Sequence, residues 1–101
     1  MSSGFVAILT AELHFPEAGS LKAKRHHVRS ARDTLRQRFG AAVAEVDHHD
    51  LWQRATLTVA CVARDAAGAE ELAAGAERWL ASGEPVLVRC DRLLIAPGDD
   101  R

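Results

Sequence analysis

The chain is poor in cysteine and carries almost no net charge. Its two cysteines, Cys61 and Cys90, lie inside apolar segments and form no CxxC pair. We therefore expect two small buried thiols rather than a disulfide or a zinc site. The formal net charge of -1 over 101 residues gives no global attraction to nucleic acid or to anionic lipid. Any such attraction must come from a local cluster of charges.

The sequence also lacks a long apolar run preceded by a basic leader. The apolar segment FVAILTAELHF near the N-terminus is interrupted by Thr10, Glu12 and His14, which is typical of neither a signal peptide nor a membrane span. We therefore expect a cytoplasmic protein without a membrane partner. A chain of 101 residues has room for one domain with its own hydrophobic core.

The apolar pattern predicts six elements in the order β-α-β-β-α-β. Four segments have the alternation or the apolar content of strands: 4–15, 41–47, 51–63 and 86–95. Ser20 and Gly40 are the predicted N-terminal and C-terminal caps of a first helix. Asp65 is the predicted N-cap of a second helix, which ends near Ser82.

This order predicts an α+β ferredoxin-like plait, in which four antiparallel strands form one sheet and both helices cover the same face. We expect a single domain over residues 4–96 and a short C-terminal tail over residues 97–101. The second face of the sheet would have no helix on it. We therefore expect that open face to be available to a partner.

Two motifs resemble a known family. SLKAKRHHVRS follows the first strand and AEVDHHDLWQRATL spans the hairpin, and both resemble the YlxP-like bacterial family, catalogued as domain of unknown function 503. The resemblance covers roughly residues 5–95 and implies a ferredoxin-like domain. In many bacteria the genes of this family lie beside those for translation initiation and ribosome maturation factors, which implies a role near the ribosome. The family usually has Glu where Ala23 stands, so the capping box with Ser20 is absent here.

The segment EVDHHDLWQRA, residues 45–55, combines two histidines and three carboxylates with a tryptophan and an arginine. A two-residue turn at His49 and Asp50 would place the apolar residues of the hairpin on the helix side. That side would consist of Ala42, Ala44, Val46, Ala55, Leu57 and Val59, with Leu51 and Gln53 at its end. The open face would then present the predicted partner or ligand surface, which consists of Glu12, His14, Glu45, Asp47, Trp52 and Arg54. On that surface we expect a cross-strand ion pair between Glu45 and Arg54.

The same segment is a weak candidate for a metal or catalytic site. His48 and His49 are adjacent on predicted extended backbone and would point to opposite faces, so they are poor joint ligands. The sequence has neither a nucleophile signature nor a Gly-rich phosphate loop. We therefore expect no cofactor, no metal and no catalytic residue. The less favoured alternative is an enzyme or metalloprotein built on His14, Asp47, His48, His49 and Asp50.

Trp52 would give the open face a large flat apolar surface. Either another part of the chain covers it, or it meets a second copy, another protein or a nucleobase. An RNA-recognition module of this topology would carry aromatic side chains on the open face of its first strand. Phe5 and Phe15 are predicted to lie on the helix side instead, which argues against that mode of RNA binding.

The first helix carries a strong local cluster of positive charge. Seven of the thirteen Lys and Arg residues fall between Lys22 and Arg38, where Asp33 is the only acid. Five of these cations step by three or four residues and would form one line about 21 Å long on the helix. We term these five residues the basic ridge: Lys22, Arg25, Arg29, Arg32 and Arg36. Their mutual repulsion, and their opposition to the helix macrodipole in the first turns, favour a negatively charged partner.

Three interpretations of the basic ridge stay open. It is a solvated helix face whose charges are neutralised by Asp33 or by acids of the second helix (Glu70, Glu71 and Glu77), or it contacts RNA phosphates, or it binds an acidic protein. Our leading hypothesis is a small non-enzymatic module that binds RNA or the ribosome. The alternative is a homodimer, or a module for a small ligand, that uses the open face around Trp52.

Overall fold

The computed structural model describes residues 3–83 and 85–99, so Asp100 and Arg101 of the predicted tail lie outside the described residues. The elements follow in the predicted order: β1 (Phe5–His14), α1 (Leu21–Phe39), β2 (Ala42–Asp47), β3 (Arg54–Ala63), α2 (Ala66–Ala81) and β4 (Val86–Ile95). A short 3-10 helix, Pro97–Asp99, follows β4.

The four strands form one antiparallel sheet with the order β2-β3-β1-β4. Together with the two helices this is an α+β ferredoxin-like plait, as predicted. β1 lies in the middle of the sheet and pairs with β3 over its whole length, from Phe5 opposite Ala63 to His14 opposite Arg54. The two edges of the sheet are β2 and β4.

Local sequence signals position both helices. The hydroxyl of Ser20 accepts a hydrogen bond from the backbone N–H of Ala23 at 3.1 Å, so the N-cap is formed without the Glu of a capping box. Gly40 ends α1 in the left-handed region with φ 62°. The Asp65 carboxylate caps α2 by accepting from the N–H of Gly68.

The hydrophobic core lies between the sheet and the helices. Alternate residues of β1 and β3 form the sheet side of the core: Ala7, Leu9, Ala11, Leu13, Ala55, Leu57, Val59 and Cys61. The buried residues of the helices are Val28, Ala31, Leu35, Ala69, Ala73, Ala76 and Leu80, together with Lys24. Leu21, Phe39, Leu72 and Trp79 of the same helices are half-buried. Small alanines let α2 approach the sheet closely.

The hairpin between β2 and β3 differs from the prediction. Glu45 lies opposite Leu57 rather than Arg54, and the connection runs over the six residues 48–53 instead of a two-residue turn. A register shift by an odd number of residues moves each side chain of a strand to the other face. Val43 therefore packs against the core, and the prediction that Ala42, Ala44 and Val46 face the helices is wrong. Leu51 and Gln53, predicted at the end of the helix side, are exposed in the connection.

Neither helix covers the second face of the sheet. Large apolar side chains stand there in contact with solvent, including Val62 at 65% and Leu93 at 59% relative exposure. Trp52, in the connection after β2, is 52% exposed. Within the described part of the chain, no helix combines the length and the apolar character needed to cross a membrane.

Candidate functional site

Four members of the basic ridge are exposed on α1: Lys22, Arg25, Arg29 and Arg36. The fifth, Arg32, is half-buried, and its Nε atom is enclosed without a hydrogen-bond partner among the described residues. The spacing of three and four residues therefore does align the cations along one helix, with Arg32 nearest to the packed side.

No ridge side chain forms an ion pair within 4.0 Å among the side chains that the structure describes, so none of those carboxylates neutralises the ridge. Glu77 of α2, one of the acids considered as a neutralising group, instead accepts from Arg92 at 2.9 Å. Asp33, Glu70 and Glu71 are exposed and form no ion pair with the ridge. The cations of the basic ridge therefore have no carboxylate partner among the described side chains, and four of them are exposed to solvent.

Lys24, which lies between the ridge residues Lys22 and Arg25, differs from the ridge in both burial and pairing. It is fully buried, and its ammonium group forms an ion pair with the Glu45 carboxylate at 2.8 Å. The same ammonium donates to three backbone carbonyls, those of His48 at 2.9 Å, His49 at 3.2 Å and Arg54 at 3.3 Å. An ammonium group has three N–H donors, and all of them find acceptors here. These contacts offset the cost of removing the charge from water.

The position of Lys24 follows from helical geometry. It precedes Val28 by four residues and Ala31 by seven, so it lies on the apolar stripe of α1. Its aliphatic stem packs within the core while its ammonium reaches β2 and the 48–53 connection. Sequence reasoning missed this role because only the five cations of the basic ridge were placed on the helix, and Lys24 was assigned no position. The 4- and 7-residue spacing to apolar positions was the signal that could have identified it.

The Lys24 contacts overturn one predicted member of the partner surface. Glu45 was predicted on the open face, paired with Arg54, but it lies on the helix side and binds Lys24. The reason is the register of the hairpin, which places Glu45 and Val43 on the same side of β2. Glu45 is therefore a structural carboxylate with a half-buried side chain.

Three other members of that surface do come together at the edge of the open face. His14 and Arg54 lie directly opposite each other on β1 and β3, and Trp52 precedes Arg54 by two residues. An open cavity of about 430 Å³ is lined by His14, Leu51, Trp52, Gln53 and Arg54. We term these five residues the Trp52 corner. Exposed aromatic surface and two basic side chains meet there.

Glu12 and Asp47 lie beside the Trp52 corner rather than in it. Glu12 lines a neighbouring cavity of about 210 Å³ together with His14, His48 and Arg54. The Asp47 carboxylate accepts the backbone N–H of His48 at 2.7 Å, and its other oxygen lies 3.9 Å from the His48 ring. This contact supports the left-handed backbone of His48, whose φ is 66°.

The histidines of the connection have structural contacts. Nε2 of His49 lies 3.0 Å from the backbone oxygen of Glu45. Among the side chains that the structure describes, no three of His, Cys, Asp or Glu are grouped closely enough to hold a metal ion. The expected absence of a metal and of a cofactor stays a prediction.

Both cysteines are free thiols, Cys61 buried and Cys90 half-buried. Burial raises the pKa of the Cys61 thiol. Burial, together with the negative charge of Glu77 and a hydrogen bond to it, raises the pKa of Cys90 from its ordinary 9.0 to about 11. Both thiols are therefore protonated at neutral pH and poorly suited to nucleophilic chemistry.

A family model described as a protein of unknown function (DUF503) matches residues 6–90. The matched range begins in β1 and ends in β4, so it contains the basic ridge, Lys24 and the Trp52 corner. None of the curated proteins compared with the chain matches it. The family description names no substrate, partner or activity.

Proposed function

We propose, starting from the fact that the chain belongs to the DUF503 family of proteins of unknown function, that it is a small non-enzymatic module that binds RNA. The basic ridge would contact RNA phosphates, and ribosomal RNA is the expected source. The observation that carries this proposal is the exposure of Lys22, Arg25, Arg29 and Arg36 on one helix, with no partner carboxylate among the side chains that the structure describes.

The electrostatics of α1 support a negatively charged partner. Its first turn contains no acidic residue, although carboxylates there would interact favourably with the positive end of the macrodipole. Cations three or four residues apart also repel one another by a few tenths of a kcal/mol per pair. A line of phosphates would relieve both costs and would release counterions from the nucleic acid.

The ridge is also held in a fixed place. Lys24 ties the first turns of α1 to β2 and to the 48–53 connection through one ion pair and three hydrogen bonds to carbonyls. Val28 and Leu35 pack the same helix onto the sheet. A cationic line on a rigid helix needs little reorganisation to bind, so less affinity is lost to ordering.

The near-zero net charge supports an oriented complex. A chain with a formal net charge of -1 and a cationic α1 has an excess of acid elsewhere. Those acids would repel RNA from the remaining surface while the ridge attracts it.

Charge reversal tests this proposal. We expect Arg25→Glu/Arg29→Glu/Arg36→Glu to weaken binding to ribosomal RNA by about 100-fold or more at 0.1 M salt, because three phosphate contacts become repulsive. The matched control is Arg64→Glu/Arg78→Glu/Arg89→Glu, which makes the same change in net charge at exposed arginines outside the ridge. Equal losses in both variants, or no loss in the ridge variant, would contradict the proposal. Binding that survives nuclease treatment of a lysate would favour an acidic protein instead.

A second candidate function is the binding of a small planar anion at the Trp52 corner. The cavity of about 430 Å³ brings the exposed Trp52 ring together with Arg54 and His14, which suits a base that stacks and a phosphate that pairs with a cation. The fluorescence of a Trp79→Phe variant, which keeps Trp52 as its single tryptophan, would report a titration with adenosine monophosphate. We expect quenching that Arg54→Ala weakens, and an unchanged spectrum at millimolar nucleotide would refute this candidate.

A further inference from the structure

Glu12 is a half-buried residue whose carboxylate has no cation partner among the described side chains. Arg89 lies directly opposite Glu12 on β4, but it forms its ion pair with Asp91 at 3.0 Å instead. Arg54 lines the same cavity of about 210 Å³ as Glu12, and it too forms no ion pair among those side chains. Both oxygens of the Glu12 carboxylate are therefore available as hydrogen-bond acceptors for a ligand in this cavity.

The cavity beside Glu12 continues the Trp52 corner. His14 and Arg54 line both cavities, and the two residues lie directly opposite each other on β1 and β3. Glu12 precedes His14 by two residues and shares its face of β1, about 7 Å further along the strand. A single ligand of nucleotide size can therefore reach the Trp52 ring, the two basic side chains and the Glu12 carboxylate.

The backbone around the two cavities is held in place before any ligand binds. His48 has a left-handed φ of 66°, and its N–H donates to the Asp47 carboxylate at 2.7 Å. The carbonyl of His48 accepts from the buried Lys24 ammonium at 2.9 Å and from the N–H of Leu51 at 3.1 Å. The same ammonium donates to the carbonyl of Arg54 at 3.3 Å, so two walls of the cavity are tied to one buried group. A site that is already ordered loses less affinity to reorganisation.

We infer that Glu12 accepts a hydrogen bond from the ribose 2′-hydroxyl of a ribonucleoside monophosphate, whose base stacks on Trp52 and whose phosphate pairs with Arg54 and His14. This inference rests on the second candidate function, the nucleotide site at the Trp52 corner, and it adds the identity of the sugar. The phosphate is repelled by the Glu12 carboxylate, and the base is engaged in stacking. The ribose is therefore the part of the nucleotide that suits Glu12, because its hydroxyls are neutral hydrogen-bond donors.

A site of this kind distinguishes ribonucleotides from deoxyribonucleotides. The 2′-deoxy analogue brings no donor to the Glu12 carboxylate, while the repulsion between that carboxylate and the phosphate stays. A hydrogen bond to a charged acceptor contributes a factor of about 10 or more in affinity. We therefore expect adenosine monophosphate to bind about 10-fold more tightly than 2′-deoxyadenosine monophosphate.

Fluorescence titration with these two nucleotides tests the inference. The Trp79→Phe variant serves as the background, because Trp52 is then the single tryptophan of the chain. In this background, the further substitution Glu12→Gln removes the charge and keeps the size of the side chain. It should weaken binding of adenosine monophosphate several-fold and leave binding of the deoxy analogue unchanged or tighter, because the repulsion of the phosphate is removed. A purely structural role of Glu12 would weaken the binding of both nucleotides alike, and that result would overturn the inference.

The matched control is Glu71→Gln in the same background, which makes the same change of charge at an exposed glutamate of α2, away from both cavities. It should keep the roughly 10-fold preference for the ribonucleotide. Equal binding of the two nucleotides with Glu12 present, or an unchanged preference in Glu12→Gln, would overturn the role of Glu12 while nucleotide binding at the Trp52 corner remains. Absence of quenching by either nucleotide would refute the second candidate function and this inference together. RNA binding through the basic ridge is measured separately from both results.

Discussion

The ammonium nitrogen of Lys24 lies 2.8 Å from Oε2 of Glu45, and Lys24 has no exposed surface. The two residues are separated by 21 positions in the chain, so their contact joins the start of α1 to the edge strand β2. Glu45 lies on the same side of β2 as Val43, which packs against the core. The connection that carries Trp52 is held to the same ammonium through the carbonyls of His48 and His49.

Lys24→Met is expected to lower the free energy of unfolding by about 3 kcal/mol, because it leaves the Glu45 carboxylate and three carbonyls without their donor. For a domain of this size that is a fall in Tm of at least about 12 °C. Thermal unfolding followed by circular dichroism measures it. Lys22→Met, two residues earlier on the exposed side of α1, is the control and should stay within about 0.5 kcal/mol of the wild type.

The double variant Lys24→Met/Glu45→Met completes a double-mutant cycle, which measures the interaction free energy between the two side chains. Removing both charges leaves no unpaired ion. We therefore expect the double variant to lose less unfolding free energy than the sum of the losses in the two single variants. The coupling free energy from denaturant unfolding should amount to at least about 1 kcal/mol. Strictly additive single effects would show that the pair contributes no mutual stabilisation.

Gly40 and Gly19 give a matched test of backbone strain. A Cβ atom at either position would meet nothing within 4 Å, but only Gly40 has a positive φ, of 62°. Gly40→Ala should therefore destabilise the protein by about 1 kcal/mol through the left-handed backbone alone. Gly19→Ala should be neutral or slightly stabilising. Equal stabilities of the two variants in urea would argue against the cap at the end of α1.

Cys90 should be slow to alkylate. With its pKa raised from 9.0 to about 11, its thiolate fraction near pH 8 is about 100-fold smaller than that of an ordinary thiol. Iodoacetamide labelling of the folded protein, followed by mass spectrometry, measures the rate. Glu77→Gln should speed the labelling because it removes the carboxylate that opposes ionisation. Rates equal to those of the unfolded chain would contradict the raised pKa.

The raised pKa of Cys90 also makes the free energy of unfolding depend on pH in the alkaline range. The folded pKa lies above that of the unfolded chain, so the unfolded thiol ionises first as the pH rises. The contribution of Cys90 is complete below pH 9 and is lost as the pH rises toward 11. The difference in unfolding free energy between the wild type and Cys90→Ser should therefore shrink from pH 8 to pH 10.5.

Those parts of the fold that depend on local sequence were predictable. The Ser20 and Asp65 caps, the Gly40 helix end and the alternation of β1 each depend on interactions within a few residues. The order of elements then restricts the topology to very few choices. The DUF503 match over residues 6–90 agrees with the resemblance carried by the two motifs.

The register of β2 was not predictable from its own pattern. In AVAEVD, Ala42, Ala44 and Val46 form an entirely apolar face, whereas Val43 shares its face with Glu45 and Asp47. The alternation therefore indicated the wrong face, and Glu45 was assigned to the open side. The partner of Glu45 on its observed face is Lys24, which belongs to a different element, and a buried lysine is rare enough to be overlooked. The Trp52 corner also depends on this long connection, so its geometry followed only from the structure.

The most direct test of RNA binding through the basic ridge is the salt dependence of affinity for single-stranded ribosomal RNA. Four to five phosphate contacts predict that log K falls with log salt at a slope of about -2.8 to -3.5. The variant Arg25→Glu/Arg29→Glu/Arg36→Glu should lose this dependence together with its affinity. A wild-type slope near zero, or an unchanged slope in the variant, would contradict the proposal that α1 is the RNA-binding surface.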